Sequence, residues 1–374
     1  MKHLQDQRKI LNSKAFRRLS DKTQVIFSID RDAQVRSRLT HSLEVASIAK
    51  EITLNINNIH KYELNPECVY NVGLLHDYGM SPLGHLGEST LQEVFYKKTG
   101  LVFEANANNL VVIEKNVPDI SMLTIVSTIK YPYIFESKST NRKPKGIYKT
   151  QYNKYISILN EIIEMQNQYP DIKRERTYEC DIMELADDIA YLLSDLSDAI
   201  FSYNIKISNK ELQNYFKEEG PVNPDLLLTL SKIINNRNLE LLEDLREQII
   251  QNIYFNTKTN HFDFKDKDFI KIQKVIRKID WDFYIQKFSL LKDNILIIEY
   301  KKFLENTIEI TKTHPDFIAD NVIISNTYKE KFLKAIKNKD LDKAYKILII
   351  TLAEWTDTTV SKKIKELKEK KLFI

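Results

Sequence analysis

The chain has 374 residues, 43% hydrophobic and 29% charged, which is long enough for a real core and too apolar for a disordered chain. Its 56 basic and 52 acidic residues leave a net charge of +4, too balanced to point by itself to nucleic acid or a membrane surface. Cys68 and Cys180 offer neither a disulfide framework nor zinc-type spacing, the first residues are polar, and no apolar run nears the ~20 residues of a membrane span, so a cytoplasmic protein without membrane association is expected.

In chain order, the first strong periodicity is at 39–56. Leu39, Leu43, Ala46, Ala49 and Ile52 recur three or four residues apart, which predicts a helix that also carries His41. Similar patterns predict helices over 155–166, 183–201, 225–254, 296–311, 328–337 and 341–354. With seven glycines in the whole chain, a hairpin-rich design is disfavoured, because tight turns need residues that tolerate positive φ. An all-α fold with one small ribbon is the expectation. The segment 136–151, with Lys138, Arg142, Lys143, Lys145 and Lys149 around Pro144 and Gly146, reads either as an exposed basic loop or as a mobile flap meeting a polyanion. The Lys-rich 362–371 reads as a solvated helix end.

Four of the seven glycines, Gly73, Gly79, Gly84 and Gly87, fall within fifteen residues around His76-Asp77. A chain this sparing with glycine is expected to be shaping a site there. His76 and Asp77 follow the apolar Val72, Leu74 and Leu75, as at a helix end that offers imidazole and carboxylate to one divalent cation. Arg38 lies one turn before His41 and would repel an imidazolium, so it suits a neutral, metal-bound ring with an anion nearby. Residues 177–205 contain no Lys or Arg but seven carboxylates, and Asp187, Tyr191 and Asp195 form one stripe on a predicted helix. Such a row is easier to explain beside a cation. His41, His76, Asp77 and Asp187 together make a two-His, two-carboxylate set with positions left for water and substrate.

The order His, His-Asp, Asp on a helical scaffold resembles the HD hydrolase superfamily, and the flanking residues resemble its deoxynucleoside triphosphate triphosphohydrolase (dGTPase-like) branch. The likeness is carried by Ser13 to Leu19 with Lys22-Thr23-Gln24-Val25, by Arg38 to Val45, by His76 to Glu88, by Lys130-Tyr131-Pro132 and by Met183 to Tyr191. It spans about 8–198 and fades to an echo at Trp355-Thr356-Asp357. What it implies is an HD core over 1–205 with additional C-terminal helices at 206–374 packed on it as one continuous structural unit.

The resemblance further implies that His41, His76, Asp77 and Asp187 hold one divalent metal ion, Mn or Mg foremost and other transition metals open. His85 and Glu88 would be the catalytic pair, on a glycine-flanked turn and close enough to hydrogen-bond, with the imidazole serving as acid on the 5′-oxygen in preference to base on water. Arg38 would contact the triphosphate with Lys130 nearby. Gln24, Tyr191 and Asp195 would surround the deoxyribose, Gln24 and Asp195 at its 3′-hydroxyl. The implied reaction turns a dNTP substrate into deoxynucleoside and tripolyphosphate. A nucleotide activator and a homo-oligomer are open to such a protein, and single-stranded nucleic acid is not indicated. Met80 and Ser81 depart from the usual His or Asn and Pro, and Ala105-Asn106-Ala107-Asn108 replaces Gly-Asn-Ala-Gln. Two other readings share the ligands: another HD phosphohydrolase, such as a nucleotidase or alarmone hydrolase, and a non-catalytic nucleotide-sensing protein.

Overall fold

Helices dominate the computed structural model, which describes residues 1–24, 36–60, 62–135, 145–169, 171–201, 206–280, 282, 295–322, 324 and 326–369. Helices α1 (Lys2–Asn12), α2 (Lys14–Arg18), α3 (Arg38–His60), α4 (Pro66–Leu75), α5 (Gly84–Thr99), α6 (Ala105–Asn116) and α7 (Met122–Val126) precede a short parallel pair, β1 (Ile134–Phe135) and β2 (Ile147–Tyr148). Next come α8 (Lys149–Gln166), α9 (Tyr178–Phe201), α10 (Asn209–Phe216), α11 (Pro224–Asn236) and α12 (Leu239–Gln251). An antiparallel hairpin, β3 (Ile253–Asn256) with β4 (His261–Phe264), leads to α13 (Asp268–Asp280). Helices Ile295–Thr313, Asn326–Lys337, Leu341–Ala353 and Asp357–Glu369 follow. The all-α expectation holds, and no described helix is long and apolar enough to cross a membrane.

Three local expectations need correction. The periodic stretch 225–254 is two helices and the start of a strand. Arg237 takes a left-handed φ of 53°, and the Asn238 side chain then caps α12 by accepting from Leu241 N–H at 3.1 Å. Two small sheets occur among the described residues instead of one ribbon, and the hairpin turn needs no glycine because Asn260 takes a φ of 57°. In the basic segment, 136–144 lie outside the described residues, Ile147–Tyr148 is strand, α8 begins at Lys149, and Lys145 pairs with the buried Glu104 at 3.2 Å.

By their internal contacts the residues group into two compact units that interleave along the chain. One contains Met1–Ser42, Leu74–Glu161 and Lys292–Ile374, and the other contains Leu43–Gly73 and Ile162–Leu291. A core at 1–205 is therefore a division by motif, whereas contacts divide the chain differently. In the first unit, α5 packs along the helix Ile295–Thr313, and Leu91, Phe95, Tyr300, Leu304, Leu348 and Val360 share a buried cluster. In the second unit, apolar residues of α3, α4 and α9 to α13 form a core, beside which Tyr62, Tyr178, Phe255 and Phe262 stack mostly edge to face. Gly73 belongs to this packing and not to a site: a Cβ there would lie 2.6 Å from the Ala46 Cα.

Candidate metal centre

The first candidate ligand, His41, is positioned by a short backbone pairing. Gln24 N–H donates to Arg36 C=O at 3.1 Å and Arg38 N–H to Lys22 C=O at 2.8 Å, with Thr23 opposite Ser37. Residues 25–35 lie outside the described residues. Arg38 opens α3 from this pairing, and His41 follows one turn later with its side chain buried.

The other two candidates, His76 and Asp77, sit where α4 ends at Leu75 and the backbone turns through 76–79. α6 clamps that turn on both sides: Gly79 N–H donates to Asn109 Oδ1 at 2.9 Å, and Asn108 Nδ2 donates to Gly79 C=O at 2.9 Å. A Cβ at Gly79 would fall 2.2 Å from the Ala105 carbonyl oxygen, so only glycine allows the turn to lie this close to α6. The Ala105–Asn108 departure thus still holds the turn. Met80 is half-buried and hands its carbonyl to Lys22, while Ser81 is buried.

These elements bring His41, His76 and Asp77 together, with one ligand atom from each lying within 4.8 Å of the others. The His41 and His76 rings are 5.3 Å apart, and His76 Nε2 is 3.5 Å from Asp77 Oδ1. Arg38 Nη1 donates to Asp77 Oδ2 at 2.8 Å, and the arginine is 0% exposed. The structure therefore places Arg38 against Asp77, where it orients the carboxylate with Oδ1 toward His76. Two imidazoles and one carboxylate suit a borderline divalent ion.

The remaining expected site residues fall as follows. Asp187 and Tyr191 are half-buried on α9, a helix of the second unit, and they are not among the trio. The Asp195 side chain lies outside the described residues. Gln24 is buried in the pairing above and Lys130 is half-buried after α7. His85 occupies the first turn of α5 rather than an irregular turn; its side chain is 55% exposed, and Nδ1 stands 3.9 Å from Glu88 Oε2. That separation is beyond a hydrogen bond.

The acidic stretch turns out to be served by cations from elsewhere in the chain. Asp181 pairs with the buried Arg174 at 2.7 Å, Glu184 with Arg176 at 3.2 Å and Asp188 with Arg277 at 3.2 Å. Three of the seven carboxylates, Asp181, Glu184 and Asp188, are thus paired without a metal.

Two residues that brace the site carried little sequence signal. Asp357 was legible only within the Trp355-Thr356-Asp357 echo, and its buried carboxylate accepts from Thr23 and Leu83. Lys22 is buried beneath the pairing, and its Nζ donates to Ala353 C=O at 2.8 Å and to Met80 C=O. Burial first, then the charges of Arg38 and Arg18, lower this amine from its usual 10.5 to about 7. A neutral amine still has two N–H groups for two carbonyls. The unfolded chain then binds the proton more tightly between about pH 7 and 10.5, so native stability rises with pH across that window. Melting temperature is expected to climb from pH 7 to pH 9, and to climb less in Lys22→Met. Equal profiles for the two proteins would refute the buried neutral amine.

A family model described as HD domain matches residues 38–129, which include His41, His76, Asp77, His85 and Glu88. Curated relatives agree. A deoxyguanosinetriphosphate triphosphohydrolase-like protein of Rickettsia bellii is 32% identical over 309 residues, covering 81% of this chain and 72% of the relative. One of the same description from Rickettsia typhi is 29% identical over 293 residues, 71% of each chain. A deoxyguanosinetriphosphate triphosphohydrolase-like protein 2 of Deinococcus radiodurans is 30% identical over 286 residues, 67% of this chain and 64% of that one. With a trio of metal-type ligands inside the matched segment and a likeness of this extent, the chain belongs to the deoxyguanosinetriphosphate triphosphohydrolase-like family of HD-domain phosphohydrolases.

Proposed function

We propose that the protein hydrolyses deoxynucleoside triphosphates to deoxynucleoside and tripolyphosphate, using one divalent ion held by His41, His76, Asp77 and Asp187. The observation that carries this reading is the convergence of His41, His76 and Asp77, with Arg38 locking the Asp77 carboxylate from behind. The relatives' description as deoxyguanosinetriphosphate triphosphohydrolase-like supports the substrate class.

The Pα–O5′ bond breaks as a water oxygen bonds to phosphorus, and the departing 5′-oxygen takes up a proton. A divalent ion, Mn or Mg, held by these residues would supply positive charge to the phosphates and acidity to water. His85, on the exposed first turn of α5, delivers the proton, and Glu88, 3.9 Å away, orients its ring. Arg38 and Lys130 add fixed positive charge for the phosphates. Gln24 and Asp195 take the 3′-hydroxyl while Tyr191 packs at C2′, leaving no partner for a ribose 2′-hydroxyl. Assembly as a homo-oligomer and activation by a second nucleotide belong to the same proposal.

The test is a screen of all dNTPs and NTPs, singly and in pairs, with Mg or Mn, and products separated by ion exchange. Tripolyphosphate is expected from dNTPs. An unpaired buried polar group costs roughly 1–3 kcal/mol, so ribonucleotides should be about tenfold to a hundredfold poorer substrates. Orthophosphate as the product, or equal turnover of GTP and dGTP and of the other matched pairs, would overturn the reading.

A further inference from the structure

Asp357 opens the helix Asp357–Glu369, and its carboxylate is 0% exposed. A buried carboxylate needs donors on its oxygens. Oδ2 accepts from Thr23 N–H at 2.9 Å and from Thr23 Oγ1 at 2.7 Å, and Oδ1 accepts from Leu83 N–H at 2.7 Å. The first two donors belong to the residue before Gln24, in the stretch paired with 36–38, where the helix carrying His41 begins. The third belongs to Leu83, whose left-handed φ of 63° sets the entry to Gly84 and His85 at the start of α5. One side chain therefore grips both stretches, one through each oxygen.

We propose that Asp357 is a positioning residue that fixes Gln24 and His85 relative to one another, so that recognition of the sugar 3′-hydroxyl and protonation of the leaving oxygen are set by one carboxylate. The inference rests on the dNTP reading above. It differs from simple helix anchoring in a checkable way. Asparagine is nearly isosteric with aspartate but has one acceptor oxygen and a donor amide. It cannot accept from Thr23 and Leu83 on separate oxygens, so one of the two backbone N–H groups loses its acceptor. A misplacement of about 1 Å at a reacting group can cost ~10²-fold in rate.

The experiment compares wild type, Asp357→Asn, Thr23→Val and Thr358→Ala on the fastest dNTP and its 2′,3′-dideoxy analogue, at a temperature where circular dichroism shows each protein folded. Asp357→Asn should lose about tenfold to a hundredfold in kcat/KM for the dNTP. Its preference for dNTP over the dideoxy analogue should shrink toward one. Thr23→Val removes only the Oγ1 bond, so it should raise KM and lower the same preference severalfold with kcat little changed. Thr358→Ala removes a neighbouring exposed tie, from Thr358 Oγ1 to Asp21 Oδ1 at 2.8 Å, and should match wild type.

Loss of folded protein alone would lower both substrates in proportion and leave the preference intact. Preference within twofold of wild type in both Asp357→Asn and Thr23→Val therefore overturns the positioning role. If Asp357→Asn does not fold, Thr23→Val decides. A wild type that turns over no dNTP overturns the functional reading and this inference together; an active wild type with unchanged variant preferences overturns only the inference.

Discussion

His76→Ala is expected to lose both bound metal and measurable turnover. The trio is the one group of three such ligands converging among the described residues, so removing one imidazole halves the nitrogen donors of a small set. His76 is the better choice than Asp77 for a clean result. Asp77→Ala would also strip the buried Arg38 of its carboxylate, and breaking a buried ion pair from one side costs roughly 3–5 kcal/mol. A loss of activity there would mix unfolding with loss of metal. Metal content by mass spectrometry, melting temperature and turnover should be read on the same preparation. Near-stoichiometric metal with full activity in His76→Ala would sink the site. The same assay separates two neighbours on α9. Asp187→Ala should lose metal if it is the fourth ligand, whereas Asp188, paired with Arg277 at 3.2 Å, should be dispensable.

His85→Ala is expected to lower turnover by ~10²–10⁴-fold, the usual contribution of a general acid or base. Metal content and melting temperature should stay near wild type. The geometry makes this separation practical: the His85 side chain is 55% exposed and stands 3.9 Å from Glu88, so its removal opens no cavity and breaks no strong bond. Glu88→Gln should lose less, because the carboxylate acts through the ring. The double substitution should be little worse than His85→Ala, since groups working as a unit are not additive. If His85→Ala keeps more than about a tenth of wild-type turnover, an effect under ~1.4 kcal/mol, the proposed mechanism is wrong even with the family assignment intact.

How far the fold and the candidate site can be read from sequence follows the range of each interaction. The helix carrying His41 is legible because its apolar spacing is local, and the His76-Asp77 helix end is legible because an apolar run stops at a glycine-rich turn. The break at Arg237 is not legible, since an arginine in left-handed conformation gives no composition signal. The partners of Arg38 and Lys22 are likewise hidden. Arg38 reads as an anion contact before the turn 39 residues later delivers Asp77, and Lys22 stands only within a motif of the likeness, with no sign that Met80 and Ala353 accept from its amine. The row at 177–205 overstated the need for a metal because its cations, Arg174, Arg176 and Arg277, come from outside the row.

The bond from Thr23 to Asp357 spans 334 residues, so its two ends are made far apart in time during synthesis. At a ribosomal rate of roughly 5–20 residues per second, Thr23 waits on the order of 15 to 70 seconds for its acceptor. The Ala353 carbonyl that receives the Lys22 amine arrives just as late. His41, His76 and Asp77 are likewise made long before this brace. The carboxylate that ties the Thr23 stretch to the entry of α5 is thereby supplied long after both of them have been made.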